Sequence, residues 1–378
     1  MTLRVALVKG PMYDHLYTVF GPDQLDVVIH EDHPTLNKRV ADMLGRGERL
    51  DLVATHSKYA PSQAQWLRPL DPLITPASIS ALAPLAVDLC LYEGQLLCLP
   101  RLIDVRIMWV RSRRVEALPQ TWRELADGDL VFGFPGRESG LFGTFFELVV
   151  GMGGRLFDDS GDPCMASPEA EESIELLCRI AARAPSDLVE WHYDEVDRAL
   201  LDGRIDAAAA WPGAWGPIAR SSLSASLEPH RYLSGPVRRV SYSGCHAWGI
   251  PTTCGDLDGA RLLLQQLIDR PAQLLDASGG SMCAHTAALA EVTPVNDLDR
   301  RRLEITRATI SESMITYPPL PSFPGIEDGG WRAINAALRG NMAPREAARS
   351  IQSHAEKILS RTHRATTSRQ SEQTERPS

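Results

Sequence analysis

The first 54 residues constrain the fold most: three apolar runs, at 3–8, 25–29 and 50–54, alternate with helical stretches at 12–20 and 35–44. Short apolar runs bounded by turn formers read as strands buried on both faces. Gly10 and Pro11 mark the turn after the first run. Thr35 is placed to cap the second helix, and Gly45 and Gly47 to end it. Strand, helix, strand, helix, strand predicts a parallel sheet with right-handed crossovers, and ligands of such sheets bind beyond the carboxyl ends of the strands.

The pattern restarts further on. Residues 119–125 open a helix with Thr121 and Glu124 as a capping box, 130–134 read as a buried strand, and 141–150 as a helix after the turn at Pro135 and Gly136. Helices at 169–182 and 194–201 precede a buried strand at 205–210 that leads to Trp211. The extended run 244–251 leads into a helix at 258–268 and is expected to cross back between lobes. A chain of 378 residues accommodates the two α/β units this implies. Residues 362–378 lack apolar periodicity and are expected to be disordered.

Composition removes several classes of function. A net charge of −9 without a basic stripe argues against nucleic-acid binding. Seven cysteines, an odd number without Cys-x-x-Cys spacing, indicate neither a zinc ribbon nor a disulfide framework. No apolar run approaches the ~18 residues of a membrane span. The N-terminal residues lack the apolar core and cleavage site of a secretory leader, so the sequence taken by itself reads as cytoplasmic.

Aromatic residues make up only 6% of the chain, yet Trp211 and Trp215 flank Pro212 and Gly213. Proline and glycine place the pair in a turn, where two broad apolar faces suit a ring-shaped ligand; core packing is the alternative. Both tryptophans are expected in the second lobe. Loops after strands supply the polar candidates: Tyr13, Asp14 and His15 after the first strand, and His56, Ser57 and Lys58 after the third. Asp14 could equally cap a helix. Lys58 is one of only four lysines, which raises its weight as a ligand contact. Arg106 and Asp104 lie near an expected crossing, Asp104 reading equally as one half of an interlobe salt bridge. Ser139 sits in a glycine-containing turn before a helix, without the Gly-Lys-Ser/Thr ending of a phosphate-binding loop.

His246 and Trp248 share a strand with Cys245. Adjacent strand residues point to opposite faces, so Cys245 and His246 do not make a nucleophile and base, and His246 is expected to line the ligand site. His30 and His33, with Glu31 and Asp32 between, have metal-ligating chemistry, but two histidines three apart at a strand end do not converge on one face. No catalytic residue, metal or cofactor is predicted.

Residues 45–53, 119–125, the Trp211-Pro212-Gly213 turn and residues 339–348 together resemble the family 1 extracellular solute-binding proteins, the sugar-capturing subunits of ABC importers similar to the maltose-binding group. The resemblance spans roughly residues 3 to 360 in the family's order. It implies a two-lobe, periplasmic-binding-protein-like α/β fold of class II, with lobes joined by crossing hinge segments. Residues 1–104 and 250–308 would form the N-terminal lobe, and 105–249 and 309–361 the C-terminal lobe. It further implies a monomer that binds a carbohydrate or related polyol, delivers it to membrane permease subunits, performs no chemistry and works outside the cytoplasm. A cytoplasmic sensor or an enzyme on the same scaffold are the alternatives.

Overall fold

The computed structural model describes residues 2–10, 13–18, 20, 24–111 and 118–374, with 362–374 described as backbone only. The chain divides into two units, each assembled from three stretches. The first comprises Met1–Ile107, Ala210–Arg231 and Ser241–Pro321; the second comprises Met108–Ala209, Tyr232–Val240 and Ser322–Ser378. Residues 105–107, 210–231, 241–249 and 309–321 therefore belong to the first unit, although the sequence assigns them to the C-terminal lobe. Trp211, Trp215, His246 and Trp248 thus share a unit with Tyr13 and His56.

In the first unit the strand Leu3–Val8 lies parallel between Leu25–Glu31 and Leu52–His56. Every residue of Leu52–His56 is buried, as a strand in the middle of a sheet covered on both faces requires. The long strand Ser241–Gly249 joins next, antiparallel to Leu52–His56 on one edge and to Leu99–Val105 on the other. The short strand Met314–Ile315 pairs in parallel with its first two residues. The crossover helix His33–Gly45 buries Leu36, Val40 and Leu44 at intervals of four, the spacing of one helical face. Its cap is Asp32, whose carboxylate accepts the Thr35 N–H at 2.9 Å, so the helix begins two residues before Thr35. The helix expected over 12–20 is the single turn Asp14–Tyr17, with residues 11, 12 and 19 outside the described ones.

An ion pair is buried within the first unit. Arg101 donates to both carboxylate oxygens of Asp276, at 2.6 and 2.7 Å. Its guanidinium also lies 5.3 Å from the Tyr13 ring centre, 5.6 Å from Tyr17 and 5.5 Å from Trp248. Burial pushes the Asp276 carboxyl up, but the charge and hydrogen bonds of Arg101, with His15, outweigh it and leave the group below the usual carboxylate range.

In the second unit Phe132–Gly133 pairs in parallel with Ala207–Ala210, and Ile107–Arg111 lies on the other side of that strand. The helix Glu138–Gly151 is buried from Ser139 onward. It packs Phe142 on Phe323, at 6.1 Å between ring centres, where the helix Phe323–Leu338 begins. The last helix, Pro344–Thr374, carries 362–374 as helical backbone, a departure from the disordered tail that the composition predicts; 375–378 lie outside the described residues. Among the described residues no helix is long and apolar enough to cross a membrane.

Removing one partner of a buried ion pair leaves the other charge without compensation. Asp276→Ala is therefore expected to lower the unfolding free energy by about 3–5 kcal/mol in urea titrations. The same change at Asp297, an exposed partner of Arg300, is expected to have little effect.

Candidate functional site

Three strands and one helix start bring polar side chains together at the carboxyl end of the first unit's parallel strands. His56 is the last residue of Leu52–His56 and stands opposite His246 in the sheet register. Across the other edge of Ser241–Gly249, Asp104 stands opposite Gly244. Gly244 and His246 are two residues apart and share a face, so His56, Asp104 and His246 gather over one patch of sheet. Glycine at 244 leaves room for the His56 ring: a Cβ there would lie 2.0 Å from His56 Cε1, within the imidazole that rests across the strand.

His33, the first residue of its helix, completes the group. Its Nε2 lies 2.6 Å from His246 Nδ1, and His246 Nε2 lies 2.8 Å from Asp104 Oδ2. His56 Nε2 is 4.0 Å from Asp104 Oδ1, and the Tyr13 hydroxyl is 3.2 Å from His246 Nε2. Asp104 is 4% exposed, and His56 and His246 are 6% exposed. Asp104 Oδ1 and His33 Nδ1 have no hydrogen-bond partner among the described residues. The site thus holds acceptors left over after its internal hydrogen bonds are made.

Burial drives the pKa of His33 and of His56 well below the ordinary histidine value, and the nearby His246 and Lys58 act in the same direction. Both rings are neutral near pH 7, with lone pairs for a proton donor or a metal.

Tyr59 joins this cluster to an aromatic group. Its ring centre is 6.4 Å from both His33 and His56, and the Lys58 ammonium lies 4.7 Å above it. The same ammonium is 5.9 Å from the Tyr242 ring and 5.7 Å from Tyr317. Tyr242 packs on Tyr317 at 4.5 Å and edge-on to Trp211 at 5.7 Å, and the Arg106 guanidinium lies 5.5 Å from the Trp211 ring. Trp211 is half-buried, so part of its surface faces solvent.

Of the residues singled out in the sequence, Tyr13, His56, Lys58, Arg106, Trp211 and His246 therefore come together. Trp248 does not: it is fully buried in the apolar core, against Arg101 and Tyr17. Trp215 is buried too, with the Arg302 guanidinium 4.9 Å from its ring. Asp14 is engaged with His30 at 2.8 Å, and His15 lies 2.9 Å from Asp276. Ser57 extends the sheet pairing, its N–H donating to the Cys245 carbonyl and its hydroxyl accepting the Cys245 N–H. Ser139 belongs to the second unit, 3.4 Å from the Tyr193 hydroxyl. Glu138 beside it has a positive φ of 55° and lies 3.5 Å from His192.

Tyr242 joins this group without any sign in the sequence, His33 and Tyr59 join it from segments the sequence marks without selecting them, and Asp104 faces His246 within the first unit. The one available signal was Gly244, since a glycine inside a strand marks close approach by another group.

The chain has the two-lobe α/β fold of periplasmic-binding proteins. Maltose-bound MalE3 of T. maritima superposes with a TM-score of 0.85 at 18% identity, covering 94% of this chain and 99% of that one. An ABC transporter solute-binding protein from Agrobacterium radiobacter, in complex with ribitol, gives 0.82 at 20% identity, covering 95% and 98%. In sequence, a probable amino-acid ABC transporter periplasmic-binding protein of Sinorhizobium fredii is 23% identical over 287 residues, 71% of this chain. The match spans 65% of that relative's length. No protein-family model matches the chain.

Two predictions follow from the packing of this site. Gly244→Ala is expected to cost about 1–3 kcal/mol through overpacking against His56. In a His56→Ala background the same change should cost far less, a coupling that a double-mutant cycle in urea measures. The neutral histidines make stability depend on pH. Their folded pKa values lie below the unfolded one, so the unfolded chain binds protons first and stability falls as pH drops below about 6.5. Chemical melts between pH 7.5 and 5 should show this decline, and His56→Gln should flatten it.

Proposed function

We propose that the chain is the solute-binding component of an ABC importer and captures a carbohydrate or related polyol without transforming it. The observation that carries this reading is the half-buried Trp211, backed by the buried Tyr242 and Tyr317, bordered by Lys58 and Arg106 and linked through Tyr59 to the histidine cluster. Aromatic faces stack on the apolar face of a sugar ring, and a ring of imidazole, carboxylate, phenol and ammonium groups reads its hydroxyls. Support comes from the solved neighbours, whose ligands are maltose and ribitol. On this reading the protein works outside the cytoplasm, as a monomer, and its partners are membrane permease subunits.

A second reading has specific support. The curated relative is described as an amino-acid transporter component, and Lys58 and Arg106 would suit the carboxylate of an amino acid. An enzymatic reading lacks its pair: the Cys245 side chain is in the apolar core, on the face away from His246.

The test is tryptophan fluorescence and thermal denaturation with a panel of monosaccharides, oligosaccharides, polyols and amino acids. A sugar or polyol should change the emission and raise the melting temperature, because only the folded state binds it. Trp211→Ala should remove the spectral response while the ligand-free melting temperature changes little. A response confined to amino acids would move the assignment to the second reading; no response across the panel would end both.

A further inference from the structure

We propose that His56, Asp104 and His246 form a three-ligand site for a divalent transition-metal ion, with His33 positioning His246 from behind. The ligand atoms of these three buried residues lie within 4.8 Å of one another. Two imidazoles and one carboxylate are a donor set that zinc and related ions accept, with a fourth position left for water or an oxygen of a bound solute.

Three features favour a cation here over a purely structural hydrogen-bond network. Asp104 is almost fully buried, and its Oδ1 accepts no hydrogen bond among the described residues. A buried carboxylate oxygen without a partner is costly, and a metal ion would satisfy it. The three ligands come from three adjacent strands, held by the pairings of His246 with His56 and of Gly244 with Asp104. Such rigid elements fix ligand positions better than loops do. Lastly, His33 Nε2 stands 2.6 Å from His246 Nδ1. When His246 binds a metal through Nε2, its proton resides on Nδ1 and His33 accepts it, the outer hydrogen bond that orients a metal-binding imidazole.

Binding replaces the hydrogen bond between His246 Nε2 and Asp104 by ligation of both to the metal, and it changes the neighbouring turn. His56 Nδ1 now accepts the Lys58 N–H at 3.2 Å. Ligation through Nε2 puts the proton on Nδ1, so the turn at 57–58 gives way and Lys58 moves from its place over the tyrosine rings.

The full-length chain without an affinity tag, stripped with chelator and dialysed, tests this by titration with zinc chloride against a chromogenic chelator. One equivalent should bind per chain and raise the melting temperature. His246→Gln and Asp104→Asn, which keep side-chain size, should each remove both effects, and His33→Phe should weaken binding about 10- to 100-fold. His30→Gln, whose parent residue pairs with Asp14 instead, should bind as the unaltered chain does. Because the shift with zinc is read against each variant's own metal-free melt, altered basal stability does not confuse the result. Failure of the unaltered chain to bind one equivalent, or undiminished binding in both His246→Gln and Asp104→Asn, would overturn the proposal. Either result leaves the solute panel untouched.

Discussion

The site depends on one strand arriving late in the chain. Ser241–Gly249 inserts antiparallel between Leu52–His56 and Leu99–Val105, and all nine of its residues are buried. Without it, both neighbours would expose edge backbone groups that must be paired when buried. Its register also sets the chemistry: His246 falls opposite His56 and Gly244 opposite Asp104. A slip by one residue would turn His246 into the core and Cys245 outward, so the interactions that seal the sheet are the same ones that assemble the polar cluster.

Two of the groups of charged and polar side chains that the first unit buries differ in closure. Arg101 and Asp276 satisfy one another with two charge-assisted hydrogen bonds and are walled by aromatic rings. The chain His33, His246, Asp104 is satisfied only along its length and leaves acceptors at both ends. A closed pair has a structural use; an open chain over the carboxyl end of a parallel sheet, beside tyrosines and a half-buried tryptophan, is suited to hold something else.

Much of the fold was legible because the first three strands are uninterrupted apolar runs separated by helices of the right length. Local competition shifted boundaries: Asp32 caps the first long helix, so His33 becomes its first residue and points into the site. Local spacing does not show which histidines meet. His30 and His33 do not converge with each other, but His33 meets His246, 213 residues away. Partners at that distance follow from strand register, which a single sequence does not display. Trp211 was assigned to the second unit because it follows a strand of that unit, yet the chain passes to the first unit at Ala210. Trp248 and Trp215 were legible as aromatic residues but not as core, because nothing local separates a stacking face from a packed one.

The opposition of Gly244 to the His56 ring has a consequence for how the molecule is made. His56 and Asp104 leave the ribosome long before residue 244, and a nascent chain ending short of that strand can carry the first three strands but no assembled cluster. Domains tend to form during synthesis from the N-terminal side, and pairings of such sequence separation are slow because a long loop must close first. The histidine cluster is thus a late marker of completed topology. A chain in which it has formed has already threaded its returning strand, so competence to bind and correct assembly of the first unit arise in the same event.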